Sequence, residues 1–324
     1  MRKRILFSGL VLLGFFVVLE VAARLFWTPG GPDGATPLDA HPTRGWALQD
    51  KASSAGVQFE LGEHGLRRVP LTGAPHRILT TGDSSIFGHG LRDADTLHLQ
   101  LSGALREKGL SVDVMTAGVP GYTSTQTLDQ MERFGWQMDL DVLLIGNLWS
   151  DSDFEASPDP NWAEHESRSE PGVLMRNSRA FQLLDSVFGP GPEAIDWATP
   201  LDLDGERRVA VEDYVRNLEV LIQGARQRGI LPLMLLPCNR ELAASIPTPP
   251  KGWPWTPYFE AALGVLEAHQ VPSVSGCEVA KSKGLQGNAA FLDEMHPTAA
   301  LNQAYAQALA AKLVAIGWPD RVPQ

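Results

Sequence analysis

Three residues of the chain have the side-chain chemistry of a nucleophilic hydrolysis site. Ser84 follows the dipeptide Gly82-Asp83, whereas Asp293 and His296 lie three positions apart near the C-terminus. A serine hydroxyl is a poor nucleophile unless a base within hydrogen-bond reach accepts its proton. A histidine performs this task when a carboxylate fixes its tautomer and stabilises the imidazolium that forms. We therefore predict that Ser84 is a nucleophile, His296 its base, and Asp293 the group that orients the base.

Such a reaction also needs hydrogen-bond donors for the negative charge that develops on the attacked carbonyl oxygen. Preorganised N–H groups stabilise this charge without rearranging during the reaction. Gly121 ends the turn Gly118-Val119-Pro120-Gly121, where a glycine main chain can approach a ligand closely. The predicted donors of this oxyanion hole are the main-chain amides of Ser84 and Gly121 and the side-chain amide of Asn147.

The elements that must position these residues alternate between strands and helices. Apolar runs predict strands at 78–80, 111–116, 141–148, 231–236 and 271–275. The segments between and after them predict helices at 93–108, 123–134, 211–228, 258–269 and 298–316. This alternation predicts an α/β fold, a three-layer α/β/α sandwich with roughly five parallel strands. Ligands bind at the carboxyl ends of such strands, where Ser84, Gly121 and Asn147 are expected.

Several short motifs occur together in one order along the chain. They are Gly-Asp-Ser at 82–84, the glycine turn at Gly121 and the spacing Asp293-x-x-His296. In this combination the chain resembles the SGNH, or GDSL, hydrolases from about Arg77 to its end. The resemblance implies a flavodoxin-like α/β/α fold and ester hydrolysis through a Ser-His-Asp triad and an acyl-enzyme, with no metal or organic cofactor. It also implies oxyanion roles for Gly121 and Asn147.

The segment after the third predicted strand departs from the family pattern, which usually contains Gly-x-Asn-Asp. Here Gly146-Asn147 is followed by Leu148-Trp149 and then by Ser150-Asp151. Either Asn147 keeps the amide role or the Ser150 hydroxyl replaces it. Asn147 is favoured, because an amide is the usual side-chain component of an oxyanion hole.

Two other classes of function are compatible with the same residues. The serine could pass its acyl group to a sugar hydroxyl, which would make the protein an O-acyltransferase acting on cell-envelope polysaccharide. The altered third block could instead mark a binding or assembly protein with impaired catalysis. For the favoured esterase or deacetylase, the predicted substrates are acyl esters, including acylated polysaccharides and lipids.

Other polar side chains fit structural roles better than a further site. Four side chains near one another in the sequence could in principle bind a metal, namely Asp151, Asp153, His165 and Glu166. Their spacing matches no known pattern of metal ligands. Three more residues are interpreted as surface or locally bonded histidines, namely His64, His76 and His89. We therefore predict no metal site.

The N-terminus has the pattern of a targeting segment. Arg2, Lys3 and Arg4 precede an apolar run at 5–19 that is interrupted by Glu20. A basic start before an apolar helix predicts a single-pass inner-membrane anchor with a periplasmic domain, and the alternative is secretion after signal cleavage. The expected organisation is an anchor or signal segment at 1–27, a linker at 28–45 and a catalytic domain at 46–324. An insert at 150–208 is either a lid over the site or a surface excursion.

Charge and cysteine content restrict the partners and the compartment. The chain has 27 Lys and Arg against 38 Asp and Glu, a net charge of −11, with no basic cluster beyond the first four residues. Nucleic acid is therefore not an expected partner. Cys238 and Cys277 follow two consecutive predicted strands. They form either a disulfide, if these strands are neighbours in an oxidising compartment, or two separate buried thiols.

Overall fold

The chain begins with α1 (Arg2–Phe26), at the position where the sequence predicts the anchor. The protein was analysed as a computed structural model, which describes residues 2–26, 38–41, 44–48, 53–54, 56–155, 178, 180, 183–184, 206–245 and 253–320. Among these residues, no helix has both the length and the apolar character needed to cross a membrane. The transmembrane role of α1 therefore stays a prediction.

Two small antiparallel pairs precede the main sheet. They are β1 (Leu38–His41) with β2 (Gly45–Leu48), and β3 (Ser53–Ser54) with β4 (Val57–Gln58). The strand β1 falls within the range that the sequence predicts as linker. Leu48 and Phe59 form a small apolar cluster with buried side chains of the main domain, namely Phe87, Val119 and Tyr122. These contacts pack the N-terminal segment against the main domain.

A five-stranded parallel sheet forms the centre of the domain. Its strands are β5 (His76–Gly82), β6 (Val112–Thr116), β7 (Val142–Gly146), β10 (Leu231–Leu236) and β11 (Ser273–Ser275). Their order is β11-β10-β7-β5-β6, and every neighbouring pair is parallel. All residues of β6, β7 and β10 are buried, as expected for strands covered on both faces by helices.

Helices connect the strands and cover the sheet. They are α2 (Ser84–Phe87), α3 (Leu97–Glu107), α4 (Ser124–Arg133), α5 (Val211–Gln227), α6 (Arg240–Ser245), α7 (Thr256–Ala268), α8 (Gly276–Ser282) and α9 (Ala299–Ala315). One group contains α3 and α9, which contact each other, and a second contains α5 with its neighbours α4 and α7. The predicted α/β fold with five parallel strands is confirmed.

The strand order determines where a ligand can bind. The first strand of the sheet, β5, lies between β6 and β7, so the chain turns to opposite sides of β5. In a doubly wound sheet the crevice forms at this switch point, beyond the carboxyl ends of the two central strands. Ser84 follows β5 and Asn147 follows β7, so both lie at this edge.

The two cysteines form a disulfide at the same edge of the sheet. Cys238 lies two positions after β10, and Cys277 is the second residue of α8, directly after the neighbouring strand β11. Their Cα atoms are 4.9 Å apart, and their sulfurs are bonded. Of the two alternatives that the sequence left open, the structure therefore contains the bridge.

The predicted insert at 150–208 lies mostly outside the described residues. Its two ends are joined by an antiparallel pair, β8 (Phe154–Glu155) and β9 (Glu206–Arg207). His165 and Glu166, which the sequence places in this insert, are also outside the described residues. The role of the insert as a lid stays a prediction.

Candidate active site

Ser84 lies in a sharp turn between β5 and α2. The turn requires glycine at position 82, because φ is +149° and a Cβ there would lie 2.6 Å from Ile86 Cγ1 and 3.0 Å from the Gly146 carbonyl oxygen. Asp83 precedes the helix and accepts a hydrogen bond from the Ser85 amide at 2.9 Å. The strand therefore ends with the Ser84 side chain at the crevice edge of the sheet.

The structure brings Ser84, His296 and Asp293 into one hydrogen-bonded chain. Ser84 Oγ is 2.8 Å from His296 Nε2, although the two residues are 212 positions apart. His296 Nδ1 is 2.5 Å from Asp293 Oδ2. A carboxylate accepts a hydrogen bond from Nδ1–H, which leaves Nε2 as the acceptor for the serine hydroxyl. The three side chains therefore lie in the order that a nucleophile, its base and an orienting acid would require.

The Asp293 carboxylate is stabilised in its charged form. Partial burial alone would raise its pKa, but the hydrogen bond and the charge of His296 lower the pKa well below its usual range. The main-chain amides of Met295 and His296 add to this effect by donating to Oδ1 at 2.9 Å each. Asp293 can therefore stay ionised while the histidine gains and loses a proton.

The segment that contains Asp293 and His296 is closed by contacts at both ends. The Leu292 amide donates to the His296 carbonyl at 2.8 Å, and Phe291 pairs with Pro297 in an antiparallel bridge. From outside, Arg240 Nη2 donates to the Asp293 carbonyl at 3.0 Å. Arg240 begins α6, two positions after Cys238, so the chain that follows β10 supports this segment.

Two of the predicted oxyanion donors are available in the described part of the chain. The main-chain N–H groups of Ser84 and Gly121 take part in no hydrogen bond between described residues. Gly121 has φ +76°, which glycine adopts without strain. These two amides can therefore donate to a bound oxygen.

Asn147, the third predicted donor, is fully buried and partly engaged by protein groups. Its Nδ2 donates to Thr127 Oγ1 at 2.9 Å, and its main-chain carbonyl accepts from the Tyr214 hydroxyl at 2.8 Å. An amide nitrogen has two protons, and Thr127 uses one of them. Its oxyanion role stays a prediction.

Ser150 and Asp151 belong to the segment after β7 in which Ser150 was the alternative to Asn147. Both residues form hydrogen bonds with buried residues. The Ser150 amide donates to the buried Asp83, whose pKa is raised by burial against the opposing effect of this and other hydrogen bonds. The Asp151 carboxylate accepts from the Ser124 amide at 2.9 Å and from its hydroxyl at 2.5 Å. Asp151 therefore links the loop after β7 to the start of α4.

His89 lies beside the candidate site, which the sequence interpretation did not predict. Its ring centroid is 4.4 Å from that of His296, and its Nδ1 is 2.7 Å from Ser54 Oγ. Burial and then the charge of His296 lower the pKa of His89 to about 4, against the effect of Asp293. The sequence signal is that His89 lies between Gly88 and Gly90, five positions after Ser84. Both glycines adopt positive φ, and the turn they form lets the His89 amide donate to the Ser84 carbonyl.

His64 and His76, which the sequence groups with His89 as surface or locally bonded histidines, have partners outside the candidate site. His64 stacks on Phe134 with ring centroids 5.0 Å apart, and His76 Nδ1 is 3.1 Å from Asp141 Oδ1. Neither contact involves a residue of the candidate site.

Comparisons with known proteins identify the fold. No protein-family model matches the sequence, and a search of curated proteins gives no match. Among solved structures, LAE5, an α/β hydrolase from the metagenome of Lake Arreo, has a TM-score of 0.50 at 16% identity, covering 75% of this chain and 97% of LAE5. Axe2, an acetylxylan esterase from Geobacillus stearothermophilus, has a TM-score of 0.48 at 15% identity, covering 76% of this chain and 95% of Axe2.

A third solved structure gives a similar result. The lipase/acylhydrolase from Enterococcus faecalis has a TM-score of 0.46 at 17% identity, covering 77% of this chain and 99% of that protein. At these identities the comparison with LAE5 establishes a shared fold. The chemistry of this chain has to be argued from its own residues.

Proposed function

We propose that this protein is a serine hydrolase that cleaves carboxylic esters through an acyl-enzyme on Ser84. One observation carries the proposal, namely the continuous chain of hydrogen bonds from Ser84 Oγ through His296 to Asp293. It supplies a nucleophile, a base in contact with it and an acid that fixes the tautomer of the base. The matching motifs of the SGNH hydrolases and the fold shared with LAE5, an α/β hydrolase, support the same chemistry.

In the first half of the reaction, Ser84 Oγ forms a bond to the acyl carbon and its proton passes to His296 Nε2. The negative charge on the former carbonyl oxygen is met by the amides of Ser84 and Gly121, with Asn147 as the third donor. Collapse of this intermediate breaks the bond to the alcohol oxygen, and His296 gives its proton to that oxygen. The alcohol leaves, and the acyl group stays on Ser84.

In the second half, water attacks the acyl carbon while His296 Nε2 accepts a proton from it. The bond between the acyl carbon and Ser84 Oγ then breaks, and His296 returns the proton to Oγ. The carboxylic acid leaves, and the serine hydroxyl is restored. We propose acyl esters as the substrate class, including acylated polysaccharides and lipids of the cell envelope.

We also propose that the catalytic domain lies outside the cytoplasm, held at the inner membrane by α1 or secreted after cleavage. The basic residues at 2–4 before the apolar helix support export, and the Cys238–Cys277 disulfide favours an oxidising compartment. Cell fractionation and protease added outside the inner membrane test this location. A domain that is protected from such protease would contradict it.

Labelling by a fluorophosphonate probe tests the catalytic proposal. The probe should label the wild-type protein and should not label Ser84→Ala. The matched control is Ser85→Ala, which removes a neighbouring buried hydroxyl that has no hydrogen-bond partner among the described residues and keeps the amide that donates to Asp83. This control should be labelled as the wild type is.

The same labelling experiment can refute the proposal. If folded wild-type protein, verified by circular dichroism, gives no Ser84-dependent labelling, both hydrolysis and acyl transfer are refuted. If labelling occurs, product analysis with an added sugar acceptor separates the two. Free carboxylic acid indicates hydrolysis, whereas an acylated sugar indicates transfer.

A further inference from the structure

The indole of Trp46 contacts the peptide unit that contains the Gly121 amide. Trp46 Nε1 donates to the Pro120 carbonyl oxygen at 3.0 Å, over a sequence separation of 74. The Pro120 carbonyl and the Gly121 N–H belong to one planar peptide unit, in which they point in opposite directions when the bond is trans. A donor that fixes the carbonyl therefore also fixes the direction of the Gly121 N–H.

The same indole also occupies the space beside Gly121. A Cβ at position 121 would lie 3.0 Å from Trp46 Cζ2, a tight contact that would require the indole to shift. The Trp46 main-chain carbonyl accepts from the Tyr122 hydroxyl at 2.6 Å, and the two rings meet edge to face with centroids 6.0 Å apart. The turn and the N-terminal strand β2 are thus locked together by reciprocal contacts.

A buried arginine holds the next peptide unit of the same turn. Arg208 Nη1 donates to the Gly121 carbonyl at 2.6 Å, and Nη2 donates to Gln126 Oε1 at 3.1 Å. Its guanidinium lies over the Trp46 ring, 5.1 Å from the ring centroid. The carbonyls before and after the Gly121 N–H are therefore both fixed by side chains.

These contacts leave the Gly121 amide itself without a partner among the described residues, although the carbonyls on both sides of it accept hydrogen bonds from side chains. Hydrogen bonds in a chain polarise one another, so a donor on the Pro120 carbonyl strengthens the N–H of the same peptide as a donor. A rigid, polarised and unused N–H is what the stabilisation of a developing oxyanion requires.

We propose that Trp46 is a positioning residue that orients and polarises the Gly121 amide for the oxyanion of the Ser84 reaction. The proposal rests on the proposed function and adds a residue outside the motifs of the catalytic segments. It makes the N-terminal strand β2 part of the site's support. Trp46 acts through the peptide unit of Gly121 and contacts no reacting atom.

The test is Trp46→Phe in the full chain, which keeps an aromatic ring against Gly121 and removes the indole N–H. With p-nitrophenyl acetate, kcat should fall about tenfold while KM stays unchanged, because the hydrogen bond from the Gly121 amide to the substrate oxygen strengthens only in the transition state. The affinity for phenylboronic acid should fall by a similar factor. Its boron binds Ser84 Oγ and becomes tetrahedral, which places an oxygen at the oxyanion position.

The matched control is Trp136→Phe. Trp136 Nε1 donates to the exposed Glu132 side chain at 3.0 Å, so this variant removes an indole hydrogen bond of equal length elsewhere. It should leave kcat, KM and boronate affinity unchanged. The urea midpoint of each variant reports any loss of folding stability.

The outcomes separate this proposal from the proposed function. Unchanged kcat and boronate affinity in Trp46→Phe, or a change in KM alone, would overturn the positioning role while the esterase proposal stands. Wild-type protein that neither hydrolyses the ester nor binds the boronate would refute the proposed function, and the role of Trp46 would fall with it.

Discussion

The imidazole rings of His89 and His296 are in contact, with centroids 4.4 Å apart and planes tilted by 35°. Two imidazolium ions at this distance would repel each other strongly. Burial and the charge of His296 hold the pKa of His89 at about 4, so that His89 is neutral when a proton reaches its neighbour. The pair therefore contains one ring that can accept a proton in catalysis and one that stays uncharged.

A pH dependence of folding stability follows from His89. Its pKa is about 4 in the folded protein and about 6.5 for an ordinary histidine. Between these values the unfolded chain binds more protons, so the free energy of unfolding should fall as the pH falls from about 6.5 to about 4. In His89→Gln this fall should be shallower.

Urea unfolding at several pH values between 4 and 7 measures the effect. Part of the slope should persist in His89→Gln, because burial lowers the pKa of His98 to about 3 and this histidine remains. Identical slopes in the wild type and the variant would mean that the pKa of His89 is the same in the folded and the unfolded protein.

Changes to the base and its acid should greatly reduce the rate of acylation. His296→Ala removes the proton acceptor, and Asp293→Asn presents an amide N–H to Nδ1, which favours the tautomer with its proton on Nε2. In triads of this type, loss of the acid costs on the order of 10⁴ in kcat, and loss of the base costs on the order of 10⁶. Hydrolysis of p-nitrophenyl acetate measures the loss.

The control for Asp293→Asn is Glu294→Gln. This variant neutralises the adjacent carboxylate, whose nearest cationic partner is Arg240 at 3.8 Å, and keeps the main chain that Arg240 contacts. It should retain the wild-type rate within a few-fold. Unchanged hydrolysis in His296→Ala would require a different base.

Gly121→Ala should reduce both stability and activity. Its positive φ disfavours a Cβ by about 1–2 kcal/mol, and Trp46 must also move to make room. The matched control is Gly109→Ala, which has a similar φ of +81° but no atom of the described residues within 4 Å of the new Cβ. Gly109→Ala should lose only the backbone contribution and keep full activity.

Urea unfolding and ester hydrolysis compare these two variants. A stability loss in Gly121→Ala equal to that in Gly109→Ala would mean that the contact with Trp46 adjusts at no cost. Wild-type activity in Gly121→Ala would argue against a functional role for this turn.

Removal of the disulfide should destabilise the domain. The bridge closes a loop with a sequence separation of 39, for which the loss of chain entropy in the unfolded state predicts about 4 kcal/mol. The double variant Cys238→Ala/Cys277→Ala should lose up to about this amount in the free energy of unfolding. Reductant should lower the stability of the wild type and leave that of the double variant unchanged.

The contact between Ser84, His296 and Asp293 could be predicted because their signals are local and their assembly follows from the topology. Ser84 follows a buried strand, and Asp293 and His296 share one short segment before the last helix. A parallel sheet collects such residues at one edge, so a strand–helix alternation was sufficient to bring them together. The strand ends were predicted within a few residues.

The support of the site could not be predicted from the same signals. The hydrogen bond from Trp46 to Pro120 spans 74 residues, and the sequence around Trp46 does not indicate which distant turn the indole contacts. The ring contact of His89 depends on two turn conformations and on Ser54. The partners of Asn147 and Asp151 depend on where α4 lies relative to the loop after β7, which residue types alone do not specify.

The short closed segment that contains Asp293 and His296 determines the order in which the contacts of the site are lost on unfolding. The acid and the base are joined by local contacts, including the hydrogen bond from the Leu292 amide to the His296 carbonyl, whereas Ser84 belongs to a distant part of the chain. Mild heating or denaturant should therefore separate Ser84 from His296 before it separates His296 from Asp293. Inactivation would then precede unfolding of the sheet, and enzymatic activity would be the earliest reporter of damage to the domain.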